Sequence, residues 1–382
     1  MAELLRTLVR LGEKAANLAR IIRAERALFE LLVEEKKGEA KNKRFIHDFK
    51  TLADVLIQEM IRYDVGNQFA GLKEFVFGEE SNKFTNTSGE SITVAVQPSV
   101  DETKNLLTKV LDGNQVAASL LAQAVHAEAN TELDARLADL AFDLDIDNVG
   151  IWIDPIDSTA EYIKGIEDEE AESGIYQHGL QCAVVLIGAF DRKTGSPLMG
   201  VINQPFAKQD TDTKSWTSSC YWGVRCGDFH CNSLISSADA ETAPPSENGL
   251  SLIMSSSEDA HIKDAMTSIG TVHYASGAGY KILCVIAGLV DAYILSKGST
   301  FKWDTCGPHA ILQSLGGGIV DYDKWKSAST EEAGNVQGIS VRYEKPDVEG
   351  AVPEGQTWSN SGGIVCFRSE SVLATIHAAV KK

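Results

Sequence analysis

Asp154 and Asp157 stand three residues apart in Ile151-Trp152-Ile153-Asp154-Pro155-Ile156-Asp157-Ser158-Thr159, where an apolar run meets two carboxylates around a proline. Carboxylates and backbone carbonyls are hard oxygen donors, so Asp154, Asp157 and the Ile156 carbonyl could converge on a hard cation. Ser158 and Glu161 have capping-box spacing, which predicts a helix N-terminus directly after the acidic pair. Amides at such a terminus attract anions, so a phosphate could sit beside the cation. An ordinary strand-to-helix turn with Asp as its cap would read the same way. Three further acidic elements carry the same ambiguity. They are Glu79-Glu80 in Phe77-Gly78-Glu79-Glu80-Ser81, Asp304 in Trp303-Asp304-Thr305-Cys306-Gly307-Pro308, and Asp54 in Lys50-Thr51-Leu52-Ala53-Asp54. Asp304 is expected to open a helix with Pro308 in its first turn. Asp54 shares a helix with Leu52, Val55, Leu56 and Met60. Taken singly, each is equally a solvated turn or a helix cap.

Elements that could position these residues follow from periodicity. Leu4, Leu8, Leu11, Ala15, Leu18 and Ile22 predict one amphipathic helix over residues 3–35. A basic stretch, Lys36 to Arg44, links it to a helix over 50–62. A polar segment, 82–102, turns at Ser88-Gly89 as a hairpin or loop. Helical spacing returns at 103–141. Strands are expected at Val149–Ile153, Gln181–Phe190, Leu198–Asn203 and Trp216–Val224, with Lys193-Thr194-Gly195 closing a hairpin. Ser236–Gly249, with Pro244-Pro245, reads as a linker. Beyond it, strands at 252–255, 271–274, 291–295, 318–322 and 363–367 alternate with helices at 258–268, 277–288 and 305–315, and a terminal helix follows. This predicts an α+β domain over 1–235 and an α/β domain over 250–382.

Composition sets the outer limits. The 54 Asp and Glu exceed the 35 Lys and Arg, for a net charge of −19. Such a surface excludes a nucleic-acid polymer or an anionic membrane as the natural partner. With 43% hydrophobic residues, the chain nevertheless has material for a folded core. No signal peptide is expected at the N-terminus. The apolar run Ile282–Leu295 is too short to span a bilayer and contains Asp291. Seven scattered cysteines predict reduced, mostly buried thiols and a cytoplasmic location.

The order of the acidic elements is more specific than any one of them. Lys-Thr-x-Ala-Asp, Gly-Glu-Glu, Asp-Pro-Ile-Asp-Ser-Thr and Trp-Asp-Thr-Cys together resemble the lithium-sensitive, magnesium-dependent phosphomonoesterases of the inositol monophosphatase/fructose bisphosphatase superfamily. Glu-Lys-Ala-Ala-Asn (13–17), Pro-Leu-Met-Gly-Val-Ile-Asn-Gln-Pro-Phe (197–206) and Gly-Ala-Gly-Tyr-Lys (277–281) extend the resemblance over nearly the whole chain. The 73 residues between Glu80 and Asp154 favour the branch acting on inositol polyphosphates. The resemblance implies a layered α-β-α-β-α sandwich. It also implies hydrolysis, by metal-activated water, of the 1-phosphate of inositol 1,4-bisphosphate and inositol 1,3,4-trisphosphate, with inversion at phosphorus and no phosphoenzyme. A 3′-phosphoadenosine 5′-phosphate phosphatase is the alternative within the superfamily, and a non-catalytic acidic scaffold is the alternative outside it.

The same resemblance implies roles for individual residues. Glu79, Asp154 and the Ile156 carbonyl hold one Mg²⁺; Asp154, Asp157 and Asp304 hold a second; Glu80 is an outer ligand or part of a weaker third site. Asp54 and Thr159 orient and deprotonate the attacking water, and the Ser158 and Thr159 amides hold the phosphate. Ser257, Gly277, Ala278 and Lys281 approach the inositol ring and its second phosphate. Li⁺ is expected to inhibit, Ca²⁺ to occupy the site unproductively, and the protein to act as a monomer on a small polyanion. The family often has a basic residue two positions after that serine, where this chain has Asp259, with Lys263 further on.

Other clusters point elsewhere. Asp143, Asp145 and Asp147 imitate a calcium loop but lack its Gly and terminal Glu. Cys220, Cys226, His230 and Cys231 match no standard zinc spacing and are expected on strands. The acidic run Glu167–Glu172 reads as a solvated loop, or alternatively as a flap over the site.

Overall fold

The computed structural model describes residues 2–24, 33–35, 49–128, 134–168, 171–234, 249–329, 336–345 and 356–381. The expected linker lies outside them except at Gly249, as does the basic stretch 36–44. Helix α1 (Ala2–Ala24) buries a stripe that runs from Leu4 to Ile22. The single helix expected over 3–35 is corrected at its C-terminal end, where Val33–Glu35 is a strand, β1, paired antiparallel with β2 (Phe49–Thr51). Helix α2 (Leu52–Gln68) follows directly. The helical run expected over 103–141 is also divided, into α3 (Val100–Val110) and α4 (Gln115–His126). Asp112 and Gly113 have φ of 49° and 89° between them, and the Asn114 side chain caps α4. The hairpin at Ser88-Gly89 is formed by β4 (Lys83–Thr85) and β5 (Ser91–Thr93).

Two larger sheets carry the rest. The first comprises β3 (Val76–Gly78), β6 (Val149–Asp157), β7 (Val184–Asp191), β8 (Pro197–Gln209), β9 (Trp216–Cys226) and β10 (Phe229–Asn232), in the order β10-β9-β8-β7-β6-β3. It is antiparallel except where β3 runs parallel to β6. Cys220, Cys226 and Cys231 lie on β9 and β10, as expected. A short helix, α5 (Thr159–Lys164), follows β6.

The second half builds β11 (Leu250–Met254), α6 (Ala260–Thr267), β12 (Gly270–Tyr274), α7 (Ala278–Ile286), β13 (Ala292–Leu295), α8 (Lys302–Ser314), β14 (Gly318–Asp321), α9 (Tyr322–Ser327), β15 (Ile364–Phe367) and α10 (Glu370–Val380). Its sheet has the order β12-β11-β13-β15-β14.

Alternation along the strands sorts these elements into layers. Ile151, Ile153, Val185 and Ile187 face α1, α2 and α4. Their neighbours Trp152, Val184 and Leu186 face the opposite way, into a core shared with α7 and α8. Ile253, Tyr293 and Cys366 of the second sheet enter that same middle core, while Leu252, Ile294 and Val365 face α6 and α10. Three cores between five layers make the expected α-β-α-β-α sandwich.

Helix α8 belongs to the second half but lies directly on the first sheet. Gly188, Gly200 and Gly223 are cross-strand neighbours on β7, β8 and β9. A Cβ at Gly200 would stand 2.0 Å from the Gly307 carbonyl oxygen, and one at Gly188 would stand 2.2 Å from the Gly307 nitrogen. Backbone thus meets backbone, and no flexible side chain can yield. We expect Gly200→Ala to lower stability by about 1–3 kcal/mol through overpacking. An unchanged denaturant midpoint would contradict this.

Candidate active site

A regular strand would send residues three apart to opposite faces. Strand β6 avoids this with a bulge: Asp154 pairs with Leu186 and Asp157 with Val184, so three steps on β6 answer two on β7. Pro155, which has no N–H to leave unpaired, sits inside the irregularity. The strand therefore continues to Asp157 instead of stopping at Ile153, and both carboxylates reach one pocket. Helix α8 supplies the third. Asp304, Asp154 and Asp157 each offer an oxygen, all within 4.8 Å of one another. They are 8%, 1% and 9% exposed.

Like charges so close in a dry pocket resist ionisation. Burial, then Glu79, Asp157 and Asp304, push the Asp154 carboxyl well above the ordinary range. Burial, then Asp157 and Glu79, do the same to Asp304. Burial also raises Asp157, to about 6, although Lys281 and the Gly279 amide oppose the shift. Asp154 Oδ1 is buried without a hydrogen-bond partner. An orphaned carboxylate oxygen amid converging hard donors fits a divalent cation, which removes the repulsion and occupies the lone pair.

A stability prediction follows from these directions. Folded, metal-free protein holds protons on these carboxyls that the unfolded chain has released above about pH 4. The cluster's contribution is therefore present below that pH and lost as pH rises through 6 and beyond. Mg²⁺ should raise the melting temperature strongly at pH 7, by the equivalent of about 2.7 kcal/mol at 100 times its Kd. At pH 4.5 the effect should be slight. Equal Mg²⁺ shifts at both pH values, read by thermal unfolding against an EDTA control, would contradict the cluster's role.

Other expected residues surround this pocket. Glu79 follows β3, its amide donating to the Ile153 carbonyl at 3.2 Å, and its charge acts on all three aspartates. Glu80 is 8% exposed, its backbone clamped by Gln58 through bonds of 2.9 and 2.5 Å. Gln58 was not singled out from sequence, although it lies one helical turn beyond Asp54 on α2. Asp54 is 1% exposed; its Oδ2 accepts from the Thr51 amide at 2.6 Å and the Thr51 hydroxyl at 2.7 Å, completing a capping box. The Thr159 hydroxyl donates to the Ile156 carbonyl at 3.0 Å.

Two local expectations are corrected. Ser158 has φ of 69° and makes no side-chain cap bond, because this left-handed turn directs it away from the following amides. Glu161 instead accepts from the Gly179 amide at 3.0 Å and the Ser276 hydroxyl at 3.3 Å, fastening α5 to the turn before α7. Pro308 lies inside α8, since that helix begins at Lys302. Its missing N–H leaves the Asp304 carbonyl without its usual helical partner.

The residues expected at the ring line the same region. Gly277 has φ of 77°, and a Cβ there would stand 2.6 Å from Ser158 Oγ and 2.9 Å from Asp157 Oδ2. Ala278 begins α7, and the next amide, that of Gly279, donates to Asp157 at 2.8 Å. Lys281 is 5% exposed, and its ammonium donates to the Ala275 carbonyl at 3.0 Å and to that of Gly277. Ser257 is exposed. Asp259 pairs with Lys297 at 3.1 Å, and Lys297 also donates to the Ser257 carbonyl. A cation therefore stands beside Ser257 although position 259 is acidic. In the acidic run, Asp168 accepts from the Gln177 and His178 amides, at 3.1 and 3.3 Å, and binds the loop on itself. Residues 169 and 170 lie outside the described positions.

The model of the inositol monophosphatase family matches residues 4–341. The chain belongs to that family. Inositol polyphosphate 1-phosphatase of Mus musculus is 46% identical over 98% of this chain and 96% of its own length. The 3′(2′),5′-bisphosphate nucleotidase 1 of the same organism is 30% identical but aligns with only 45% of this chain and 49% of its own. Among solved structures, the extragenic suppressor protein suhB of Bartonella henselae has a TM-score of 0.54 at 12% identity, covering 100% of this chain and 99% of its own, and shows the same fold.

Proposed function

We propose that this chain is a Mg²⁺-dependent, Li⁺-inhibited phosphomonoesterase that removes the 1-phosphate from inositol 1,4-bisphosphate and inositol 1,3,4-trisphosphate. The observation that carries the chemistry is the buried Asp154–Asp157–Asp304 cluster with its unpartnered oxygen. Full-length similarity to an inositol polyphosphate 1-phosphatase supports the substrate. Glu79, Asp154 and the Ile156 carbonyl would hold one Mg²⁺. Asp154, Asp157 and Asp304 would hold a second, with Glu80 an outer ligand or part of a third, weaker site. Ca²⁺ would fill these positions unproductively. When bound, the ions supply Lewis-acid polarisation of the phosphoryl oxygens and charge neutralisation.

The remaining work falls to the chain. Ser158 and Thr159 present amides to the scissile phosphate. Asp54 and Thr159 orient the attacking water, and Asp54 takes its proton as the new O–P bond forms. The bond between phosphorus and the C1 oxygen breaks on the opposite side, and the C1 oxygen takes a proton from solvent water so that the inositol leaves as an alcohol. Inversion at phosphorus follows from this direct attack. Gly277 and Ala278 border the ring; Lys281 holds the turn beneath it; Lys297 supplies positive charge beside Ser257 for a second phosphate. The net charge of −19 supports a small anion reaching a cation-filled pocket in preference to a polyanionic polymer. No helix among the described residues is long and apolar enough to cross a membrane. The reading takes the protein as a cytoplasmic monomer.

Phosphate release from inositol 1,4-bisphosphate and from 3′-phosphoadenosine 5′-phosphate, compared under identical Mg²⁺, tests this reading. Faster inositol turnover is expected. Faster nucleotide turnover would overturn the substrate, and no release from either would leave a non-catalytic protein.

A further inference from the structure

Beyond the last residue matched by the family model, the chain returns to the carboxylate pocket. Asn360, in the segment 356–363, is 4% exposed. Its amide nitrogen donates to the Phe301 carbonyl at 2.9 Å and lies 3.2 Å from the hydroxyls of both Thr300 and Thr305. Its oxygen accepts from the Lys302 ammonium at 3.0 Å, and its backbone N–H donates to the Thr300 carbonyl at 2.7 Å. One buried side chain thus grips α8 on both sides of Asp304.

The same segment reaches the strands bearing the other carboxylates. The Trp358 ring lies 4.8 Å from Trp152, two residues before Asp154, and 6.2 Å from Phe77, two residues before Glu79. The Lys302 amide donates to the Trp358 carbonyl at 2.9 Å.

We propose that Asn360 is a positioning residue, which holds the first turn of α8 so that Asp304 stays at cation-binding distance from Asp154 and Asp157. Without the clamp, the N-terminal end of α8 loses the side-chain bonds that tie Thr300, Phe301, Lys302 and Thr305 together and is free to move out of the pocket. The strand cannot follow, because β6 pairs with β7 on both sides of its bulge, at Asp154 and at Asp157. The cost of losing Asn360 therefore appears in cation affinity more than in the fold. Partners one step removed from a metal commonly carry 10–100-fold in affinity. This inference rests on the metal-site reading above.

The test uses two variants. Asn360→Asp keeps the shape and the Lys302 contact but replaces the donor amide by an acceptor. Asn360→Ser removes most of the grip, and the inference is judged on whichever variant folds. Mg²⁺ binding to substrate-free protein is measured by calorimetry, with tryptophan fluorescence as a second signal and thermal unfolding in EDTA as the stability control. Wild-type protein is expected to bind Mg²⁺, and the variants to bind about ten-fold more weakly. Turnover should recover at saturating Mg²⁺. Wild-type protein that bound no Mg²⁺ would defeat the metal-site reading itself. Binding by wild type and equal binding by a folded variant, whatever its melting temperature, would defeat the role of Asn360 alone.

Discussion

Replacing Asp54 by Ala should cut turnover about 10²–10⁴-fold, the range over which a positioned general base acts, while Mg²⁺ and substrate still bind. Asp54 is the third residue of α2, and its Oδ2 is committed to the Thr51 amide and hydroxyl. Those bonds lock the carboxyl in place, as a positioned base requires. It lies outside the Asp154–Asp157–Asp304 group, so cation affinity should survive its removal. The substitution also removes half of a capping box, at a cost of about 1 kcal/mol in stability. Asp54→Asn is the companion variant, since its oxygen can keep the Thr51 amide bond while losing the base. Both should bind Mg²⁺ as wild type does in calorimetry, with phosphate release lost in a single-turnover assay. Loss of Mg²⁺ binding would instead make Asp54 a ligand.

Asp304→Asn should act in two opposite directions. With one carboxylate neutral, Mg²⁺ affinity should fall about 100-fold, at the upper end of what even a metal's outer partners command. The metal-free protein, however, should become more stable. Burial and the charges of Asp157 and Glu79 oppose ionisation of Asp304, and an amide of equal size removes that penalty. The loss of metal-free stability between pH 4 and neutrality should shrink accordingly. Thermal unfolding in EDTA across that range, beside Mg²⁺-dependent phosphate release, measures both effects. An unchanged Mg²⁺ requirement would remove Asp304 from the site.

Much of this was legible in the sequence because the informative features are local. Asp54, Glu79 and Asp304 each sit at a strand end or helix start that neighbouring residues announce. The nearly continuous apolar runs Val184–Phe190 and Leu250–Met254 likewise specify strands buried on both faces. The features that local spacing does not determine depend on distant partners. Whether Asp154 and Asp157 share a face is settled by the β7 register, which no spacing within 151–159 records. The Gly188–Gly200–Gly223 row is invisible until three strands align, and only then does it explain how α8 comes close enough to deliver Asp304. Ser158 matched a capping-box pattern, but its positive φ defeats the motif. Asn360 lies 56 positions from Asp304 in the chain and carries no motif at all. The division into two domains at 236–249 falls almost wholly outside the described residues.

The most direct test of the account is a crystal structure with Ca²⁺ and inositol 1,4-bisphosphate, located by the anomalous signal of calcium. Ca²⁺ is expected at Asp154, Asp157 and Asp304, with the 1-phosphate beside Ser158 and Thr159 and the second phosphate toward Ser257 and Lys297. Calcium absent from the three aspartates, or the inositol bound away from Ser158, would contradict it.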